Sequence, residues 1–470
     1  MTRRLALALL AGAASLAGCT VGPDYKGPPP LGAGAPPPAF VRADAAAVPT
    51  AAQTGRWWTA LGDATLDLLE QRALAANADL AAAQARLHQA RAGLRVQRAN
   101  TLPSANVQGT YVHARLPGLS LEQDGDSSSR FDFYNDGLTA SWEIDLFGGR
   151  RSVEAARAQA GEADAKLADV QVSLTAEVAQ AYVSLRDRQR RIALGTQSVS
   201  LGEQALLLGQ QRLDRGTATR GQIEQARQQL DEARAQLVPL LTQRDAYLDE
   251  LATLLALAPG ALDAELGSAA SAPLPPREVA IGDPAALLRN RPDIRAAERE
   301  LALQTAKVGV ADAARFPAIK FMGIFGLGGT SPSDLVDPGK LTALLAPQIS
   351  WSFLDFGRNR AKLSQAEAVR DEAEAKYRTA VLAGLRDAEG ALARFRDQRL
   401  IVADRARALA SATTAADIAA QRERAGTATK IDAADAERRR LSAESGLAAE
   451  EAALTAAFIG VEKSLGLGWS

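Results

Sequence analysis

The chain has 470 residues, and its 54 lysines and arginines balance 55 aspartates and glutamates, so charge gives no reason to expect a nucleic-acid partner. One cysteine excludes an intrachain disulfide and a four-thiolate metal site, and two histidines, His88 and His113, exclude a three-histidine metal centre. The sequence contains no Walker loop, nucleophile elbow or zinc-protease motif. We therefore expect a protein that is not an enzyme and that needs no cofactor and no metal.

The N-terminal residues have the pattern of a bacterial secretion signal. A basic pair precedes an apolar stretch, Leu5–Ala17, that is too short to span a membrane as a helix of the mature protein. The stretch ends in Leu-Ala-Gly-Cys19, which resembles the lipobox of bacterial lipoproteins. That resemblance implies that residues 1–18 are removed and that Cys19 carries the lipid, and Thr20 then fits sorting to the outer membrane. The alternative is a chance cysteine beside an ordinary cleavage site.

Residues 19–60 follow as a lipidated N-terminal tether. From Val21 to about Pro49 this segment is rich in proline, glycine and alanine, which is typical of an extended linker. We expect it to run from the lipid without packing against the rest of the chain. A helical pattern begins only after Trp57 and Trp58.

The rest of the chain is a duplicated unit with a period of about 210 residues. The sequence WEIDLFGGR at Trp142–Arg150 returns as WSFLDFGR at Trp351–Arg358, and RGTAT at Arg215–Thr219 returns as AGTAT at Ala425–Thr429. Several prolines mark a linker between the two copies. The predicted organisation is a first repeat at 61–258, a linker at 259–291 and a second repeat at 292–470.

Each repeat has the pattern helix, two strands, long helix, turn, long helix. Apolar residues recur at three- and four-residue steps through residues 149–213, which predicts one long helix. Leu194, Leu201 and Leu208 recur every seven residues, and the glycine after each of them predicts supercoiled packing at close approach. Helices of this length predict a coiled-coil rod or tunnel and not a compact domain.

Around the two recurring tryptophans, apolar residues alternate with polar ones. Every second side chain is apolar in residues 138–145 and 348–353, and residues 319–327 show two- and four-residue steps. One apolar and one polar face suit a membrane strand with Trp142 and Trp351 at the membrane interface; a soluble sandwich, or simple packing of the tryptophans, is the alternative. Four strands cannot cross lipid as an open sheet, so we expect two or three copies to close one barrel of eight or twelve strands. The alternative is a barrel that a different protein closes.

Together, the duplicated order, the lipobox, the sequence Arg291-Pro-Asp-Ile294 and the two Gly-Thr turns resemble the TolC-type outer-membrane efflux factor family. The resemblance is to the lipoprotein branch (OprM/NodT-like), and it covers essentially the whole mature chain. It implies a fold that is mainly α with membrane β. Each chain of a trimer would contribute four strands to a β-barrel, and a long α-helical barrel would continue it through the periplasm.

The same resemblance implies the outer-membrane channel of a tripartite efflux system. Such a channel is a passive exit duct for drugs or other small molecules. Its expected partners are two further copies of the chain, a periplasmic adaptor, an inner-membrane pump of the resistance–nodulation–division type and outer-membrane lipid. Two other interpretations stay open, namely an exit duct for polypeptide secretion and a structural coiled-coil lipoprotein.

The resemblance also singles out the periplasmic end of the long helices. The turns at Gly216-Thr217 and Gly426-Thr427 are the expected tips for adaptor docking. After the second turn, Asp432 and Asp435 match the inward aspartates of the family's periplasmic gate, whereas the first repeat has glutamines at the equivalent positions. A pair of solvated charges on one helix face is the other interpretation of the two aspartates.

Overall fold

A computed structural model describes residues 20–30, 39–43, 47–48, 55–117 and 128–469, and the predicted lipidation site Cys19 lies outside the described residues. The strands are β1 (Ala47–Val48), β2 (Ser104–Pro117), β3 (Ser128–Ile144), β4 (Val279–Ala280), β5 (Ala318–Gly329) and β6 (Leu341–Ser350). The helices are α1 (Ala64–Ala76), α2 (Ala78–Ala99), α3 (Gly149–Asp214), α4 (Arg220–Leu254), α5 (Asp263–Leu266), α6 (Pro284–Asn290), α7 (Pro292–Ala313), α8 (Arg358–Arg424) and α9 (Lys430–Ser464). Short 3-10 turns occupy Trp57–Leu61, Pro332–Leu335 and Pro338–Lys340.

The order of elements is duplicated. In the first half α2 is followed by β2, β3, α3 and α4, and in the second half α7 is followed by β5, β6, α8 and α9. The paired helices are nearly equal in length, with 66 residues in α3 and 67 in α8, and 35 in both α4 and α9. The chain is therefore mainly helical with one small antiparallel sheet, as the sequence predicted.

Proline ends the helix that precedes each pair of strands. α2 ends at Ala99, four residues before Pro103, and α7 ends at Ala313, four residues before Pro317. A residue that precedes proline is pushed out of the helical conformation and toward the extended one, so the chain enters a strand directly after each proline.

The chain divides into two compact units. The strand unit contains the described residues of 1–29, 86–163 and 297–377, and the helical unit contains those of 30–85, 164–296 and 378–470. The sheet of the strand unit has the order β2-β3-β5-β6, and every neighbouring pair is antiparallel.

The core of the helical unit is built from small and apolar side chains. Trp57 makes edge-on contacts with Trp58 and with Phe458, each with ring centroids 6.0 Å apart. The three glycines in phase on α3 lie against α4, because a Cβ added to any of them would be within 3.3 Å of an α4 side chain. The contacting pairs are Gly195 with Leu237, Gly202 with Leu230, and Gly209 with Ile223. The close approach predicted from the glycine spacing is confirmed.

The N-terminal segment is packed wherever the structure describes it, so the expectation of an unpacked tether was wrong. In the helical unit, Phe40 is buried, the backbone N–H of Val41 donates to Glu389 over 2.8 Å, and β1 pairs in parallel with β4. In the strand unit, residues 20–27, which we call the strap, bind to α3 and α7. Proline and glycine keep this segment extended, but they do not prevent its carbonyl groups from binding side chains.

Candidate functional site

The sheet has two unlike faces. Residues that lie directly opposite one another on neighbouring strands share a face. Three apolar rows cross β3, β5 and β6, namely Ile144–Ile319–Ile349, Trp142–Phe321–Pro347 and Leu138–Phe325–Ala343. The other face carries Ser104, Asn106, Gln108 and Thr110 of β2, and an ion pair of 2.9 Å between Glu143 and Lys320. We call these the apolar face and the polar face, and they confirm the predicted alternation along β3. The polar face also carries apolar residues, since Ile324 lies opposite Leu344 on it.

Both predicted interface tryptophans are anchored in the same way. The indole N–H of Trp142 donates to the carbonyl oxygen of Thr101 over 3.1 Å, and that of Trp351 donates to the carbonyl oxygen of Arg315 over 3.0 Å. Each acceptor lies two residues before the proline that opens a strand. Trp142 also lies beside Phe321, with ring centroids 6.1 Å apart. The two repeats therefore share geometry as well as sequence.

Trp351 lies outside the strand to which the sequence assigned it. β6 ends at Ser350, so Trp351 and Phe353 follow the strand and are 56% and 76% exposed. In the described part of the chain, no strand pairs with the outer edge of β6 or of β2. The residues after Ser350 therefore have no neighbouring strand on that side with which to form hydrogen bonds, and this explains why β6 ends before Trp351.

Within the described ranges, no helix combines the length and the apolar composition needed to cross a membrane.

The two tip turns have nearly identical backbones. Gly216 and Gly426 both have φ of 74°, the left-handed conformation in which a helix commonly ends. The N–H groups of Thr217 and Thr427 each donate to a carbonyl five residues earlier, over 2.8 Å in both turns. The predicted tip residues thus close α3 and α8 in the same manner and reverse the chain into α4 and α9.

A capping box begins each returning helix. At α9, the backbone N–H and the hydroxyl of Thr429 donate to the carboxylate of Asp432 over 2.9 and 2.7 Å, and Asp432 N–H donates back to the hydroxyl. At α4, Thr219 N–H donates over 2.9 Å to the amide oxygen of Gln222, the repeat counterpart of Asp432. These bonds satisfy amides that the first turn of a helix leaves free.

Local hydrogen bonds and nearby arginines keep Asp432 ionised. The hydroxyl of Thr429 is the largest influence, and with its backbone N–H and the positive charges of Arg212 and Arg422 it lowers the pKa of Asp432. The sequence did not indicate these arginines, because they lie at the ends of α3 and α8. Asp435, one turn later, lies 3.5 Å from Arg438, which also donates to Gln229 of α4 over 3.4 Å. The convergence of both aspartates on a common axis stays a prediction.

The strap depends on an arginine that sequence reasoning missed. The side chain of Arg151, 4% exposed, donates to the carbonyl oxygens of Val21 and Gly22 over 2.9 and 3.0 Å and to the carboxylate of Asp24 over 2.7 Å. A side chain at Gly22 is excluded, because its Cβ would lie 2.5 Å from the Cα of Gly309 in α7. The hydrogen bond from Arg151 lowers the pKa of Asp24, so the pair stays ionised.

Tyr25 holds the part of the strap that follows Asp24. Its ring packs on a small apolar cluster of α3 and α7, and its hydroxyl donates to Glu298 over 3.0 Å. Burial and the carboxylate raise the pKa of Tyr25, which keeps the hydroxyl protonated as a donor. The only available sequence signal was a short Asp-Tyr-Lys run inside a segment of proline, glycine and alanine.

Arg291 of the Arg-Pro-Asp-Ile sequence ties together two ends of the helical unit. Its side chain is 11% exposed, donates to the carbonyl oxygen of Ser464 over 2.8 Å and forms an ion pair of 2.6 Å with Asp293. It thereby joins the first turn of α7 to the last turn of α9. The Arg-Pro-Asp-Ile sequence, on which the resemblance partly rested, therefore has a structural role in joining two helices.

The described residues contain no group of three or more His, Cys, Asp or Glu side chains that could hold a metal ion. Nδ1 of His113 lies 2.8 Å from a carboxylate oxygen of Asp132 on the apolar face, near the loop end of the β2–β3 hairpin. Tyr111 donates to the same oxygen. This arrangement is a local hydrogen-bond cluster between two strands.

Comparisons with known proteins agree with this geometry. The family model described as outer membrane efflux protein matches residues 69–257 and 284–467. The outer membrane protein OprJ of Pseudomonas aeruginosa is 32% identical over 386 residues, which cover 81% of this chain and 78% of OprJ. The pyoverdine export outer membrane protein OpmQ of Pseudomonas putida is 32% identical over 492 aligned positions, covering 100% of this chain and 98% of OpmQ.

A solved structure of the outer-membrane channel OprN has the same fold. The match has a TM-score of 0.85 and 33% sequence identity, and it covers 96% of this chain and 100% of that structure. The sheet, both tip turns and both capping boxes lie inside the ranges that the family model matches.

Proposed function

Because the chain belongs to the outer membrane efflux protein family, we propose that it is the outer-membrane channel of a tripartite efflux system. In this role it is a passive exit duct for drugs or other small molecules. An inner-membrane pump of the resistance–nodulation–division type delivers them through a periplasmic adaptor. The duct makes and breaks no covalent bond, so it is not an enzyme and uses no cofactor.

The four-stranded sheet carries this proposal. Its apolar face suits lipid and its polar face suits a water-filled lumen, but its two outer edges expose backbone groups that lipid cannot satisfy. A ring of copies removes these edges. Three copies give twelve strands, wide enough for a lumen, whereas eight strands from two copies leave an interior that side chains largely fill. We therefore assign the working form as a homotrimer.

The periplasmic gate is assigned to Asp432 and Asp435. Three-fold symmetry would bring three copies of each carboxylate toward one axis, where they would attract cations and repel one another. The lowered pKa of Asp432 supports a charged ring at neutral pH. The capping box supports a fixed position for that charge, because the carboxylate is held at the start of α9.

The turns at Gly216-Thr217 and Gly426-Thr427 are assigned to adaptor docking. Their matching backbones present two similar turns per chain, and three chains would offer six nearly equivalent turns to an adaptor. The bond from each threonine N–H fixes the shape of the turn, so little conformational entropy is lost when a partner binds.

Cys19 is assigned as the lipid anchor in the outer membrane. The strap supports this assignment, because it holds Val21 and Gly22 at Arg151, three residues into α3 and shortly after β3 ends. Acyl chains on Cys19 would then enter the membrane close to the sheet. With several chains on one residue, each buried methylene contributes about 0.8 kcal/mol, which gives stable anchoring.

A pair of substitutions on neighbouring residues of β3 tests the membrane role of the sheet. Leu138 belongs to the apolar face and Thr139 to the polar face. Leu138→Asp places a charge against lipid and should abolish heat-resistant trimers in outer-membrane extracts, whereas Thr139→Asp places the same charge in the lumen and should leave them. Equal loss in both variants, or equal tolerance, would contradict the assigned faces.

Conductance tests the channel itself. Purified protein in planar bilayers should give discrete conductance steps, and cells that lack the gene should accumulate a fluorescent efflux substrate. The wild-type gene should restore export, and the Leu138→Asp gene should not. A protein that assembles on the membrane but never conducts would favour a structural lipoprotein over an exit duct.

A further inference from the structure

A cavity of 630 Å³ lies between α3, α4 and α9 in the helical unit. Its volume is within the range of pockets that hold drug-sized molecules, about 300–1,000 Å³. The residues of α9 that line it are mostly small, namely Ser442, Ser445, Gly446 and Ala449. A Cβ added to Gly446 would have no atom within 4 Å. Helix packing within the chain therefore leaves this space unfilled.

The lining of the cavity combines an apolar wall with positive charge. Among the described residues that line it, Arg188 and Arg191 of α3 are the only charged ones, and no carboxylate is among them. The apolar wall consists of leucines from all three helices, namely Leu194, Leu237, Leu240 and Leu441. Serine hydroxyls and glutamine amides add uncharged polar groups.

The two arginines share one counterion. Arg188 forms an ion pair with the carboxylate of Asp187, and Nη1 of Arg191 lies 3.6 Å from the same carboxylate. Asp187 itself lines a neighbouring cavity and not this one. Two guanidinium groups beside one carboxylate leave one net positive charge. In addition, Nε of each arginine is buried without a hydrogen-bond acceptor, a cost that acceptor oxygens of a ligand can offset.

The second repeat shows that the long helix does not require these arginines. The turn at Gly216 returns at Gly426, and Arg-Asp187 returns as Arg-Asp397 with the same shift. This shift places Gln398 at the position of Arg188 and Ile401 at the position of Arg191. Gln398 donates to the carboxylate of Glu450 over 2.7 Å, so a neutral side chain serves there. α8 nevertheless forms a helix as long as α3.

We infer that this cavity is a binding site for amphipathic organic anions. Arg188 and Arg191 hold a carboxylate or sulfonate head, and the leucines contact an apolar body. Guanidinium groups bind such heads by charge-assisted and often bidentate hydrogen bonds. An inorganic anion would not use the apolar wall, and a neutral apolar molecule would not use the charge. The inference does not require that the chain conducts, so it can be tested apart from the proposed function.

Photolabelling of the purified protein in a neutral detergent tests the site. The probe is para-benzoylbenzoate, a carboxylate with an apolar diaryl ketone that crosslinks to nearby C–H bonds under ultraviolet light. Digestion and mass spectrometry should place the label on residues 194–198, 233–243 and 441–449, which we call the cavity segments. Naphthoate, which does not crosslink, should compete for the site. The neutral probe para-methylbenzophenone should label the cavity segments at least several-fold less.

Charge-removing variants test the role of the arginines. Arg188→Gln/Arg191→Gln should weaken labelling of the cavity segments about tenfold, because the charge and its hydrogen bonds to the carboxylate are lost. Arg190→Gln is the matched control. Arg190 lies between the two arginines on α3, but it pairs with Glu444 and lines the neighbouring cavity, so its replacement should leave labelling unchanged.

A second pair of variants tests the cavity without altering any charge. Gly446→Leu fills the space from α9 and should abolish labelling of the cavity segments. Gly446→Ala adds only a Cβ and should retain it. This pair keeps the test decisive if the double glutamine variant fails to fold, because Asp187 then keeps both of its arginine partners.

Three results would overturn the inference. One is a wild type without label on the cavity segments, as when a neighbouring copy covers the cavity. Another is equal labelling of the wild type and the double glutamine variant, and the third is equal labelling by the two probes, since both would show an apolar groove that does not select for charge. Bilayer recordings of the same preparation report on the proposed function separately. A conducting protein without label keeps the proposed function, and a labelled protein that never conducts keeps the inference.

Discussion

Glu462 gives the stability of the helical unit a predictable pH dependence. This residue is on α9 and is 5% exposed. It lies one turn after Phe458, whose ring contacts Trp57. Burial raises the pKa of Glu462 from 4.5 to about 8. The folded protein therefore holds a proton there that the unfolded chain releases near pH 4.5.

The sign and size of the effect on stability follow from the difference between the pKa values of Glu462 in the folded and unfolded states. Between pH 4.5 and pH 8 the folded state binds more protons than the unfolded state, so the free energy of unfolding falls as the pH rises. Each pKa unit corresponds to about 1.36 kcal/mol, so the full loss above pH 8 is at most about 5 kcal/mol. About half of it, roughly 2–3 kcal/mol, falls between pH 6 and pH 8.

Glu462→Gln removes the ionisation and nearly preserves the shape of the side chain. The variant should gain stability relative to the wild type as the pH rises from 6 to 8, by about 2–3 kcal/mol. The measurement is the denaturation midpoint of detergent-solubilised protein, followed by helical circular dichroism at both pH values. Glu232→Gln, on the exposed surface of α4, is the control and should not alter the pH dependence. An equal pH dependence in wild type and Glu462→Gln would refute the argument.

Three further predictions concern the assigned sites. Replacing Asp432 and Asp435 together by Ala should weaken cation selectivity and block by multivalent cations in bilayer recordings. The control Gln222→Ala loses the same capping contact without loss of a charge and should change neither property. An unchanged reversal potential in the double variant would mean that the aspartates only solvate the helix. Cys19→Ser should abolish incorporation of a labelled fatty acid while the sheet still inserts, and retained label would remove Cys19 as the lipid site. Arg151→Ala should release the strap and speed its proteolysis, with Arg151→Lys intermediate, and equal cleavage rates would show that other contacts hold it.

The faces of the sheet were predictable because strand geometry has a period of two. A slip of one residue would move every side chain to the other face, so the alternation around Trp142 carried the register information that the structure confirms. The end of β6 was not predictable from the same pattern. Trp351 and Phe353 continue the alternation, but a strand also needs a neighbour, and the single chain does not provide one on that side.

The packing of the strap could not be predicted from its own sequence, because the residues that bind it lie far away in the chain. Arg151 binds the carbonyl oxygen of Val21, 130 positions earlier, and any residue offers such a carbonyl. Proline and glycine content correctly indicated extended backbone, but it carries no information on whether that backbone is solvated or bound. The local requirement for Gly22 becomes visible only when Gly309 of α7 lies against it.

The two capping boxes bear on why an aspartate stands at the tip. Gln222 caps α4 through its amide oxygen, so a neutral side chain is sufficient to begin a returning helix in this fold. A carboxylate in the first turn adds about 0.3–1 kcal/mol through the helix dipole, and that gain is equally available to α4, which lacks it at this position. Helix formation alone therefore does not account for the difference between Gln222 and Asp432. A carboxylate at only one of two equivalent tips fits a charge that is needed on one helix per chain, as a ring of three aspartates requires.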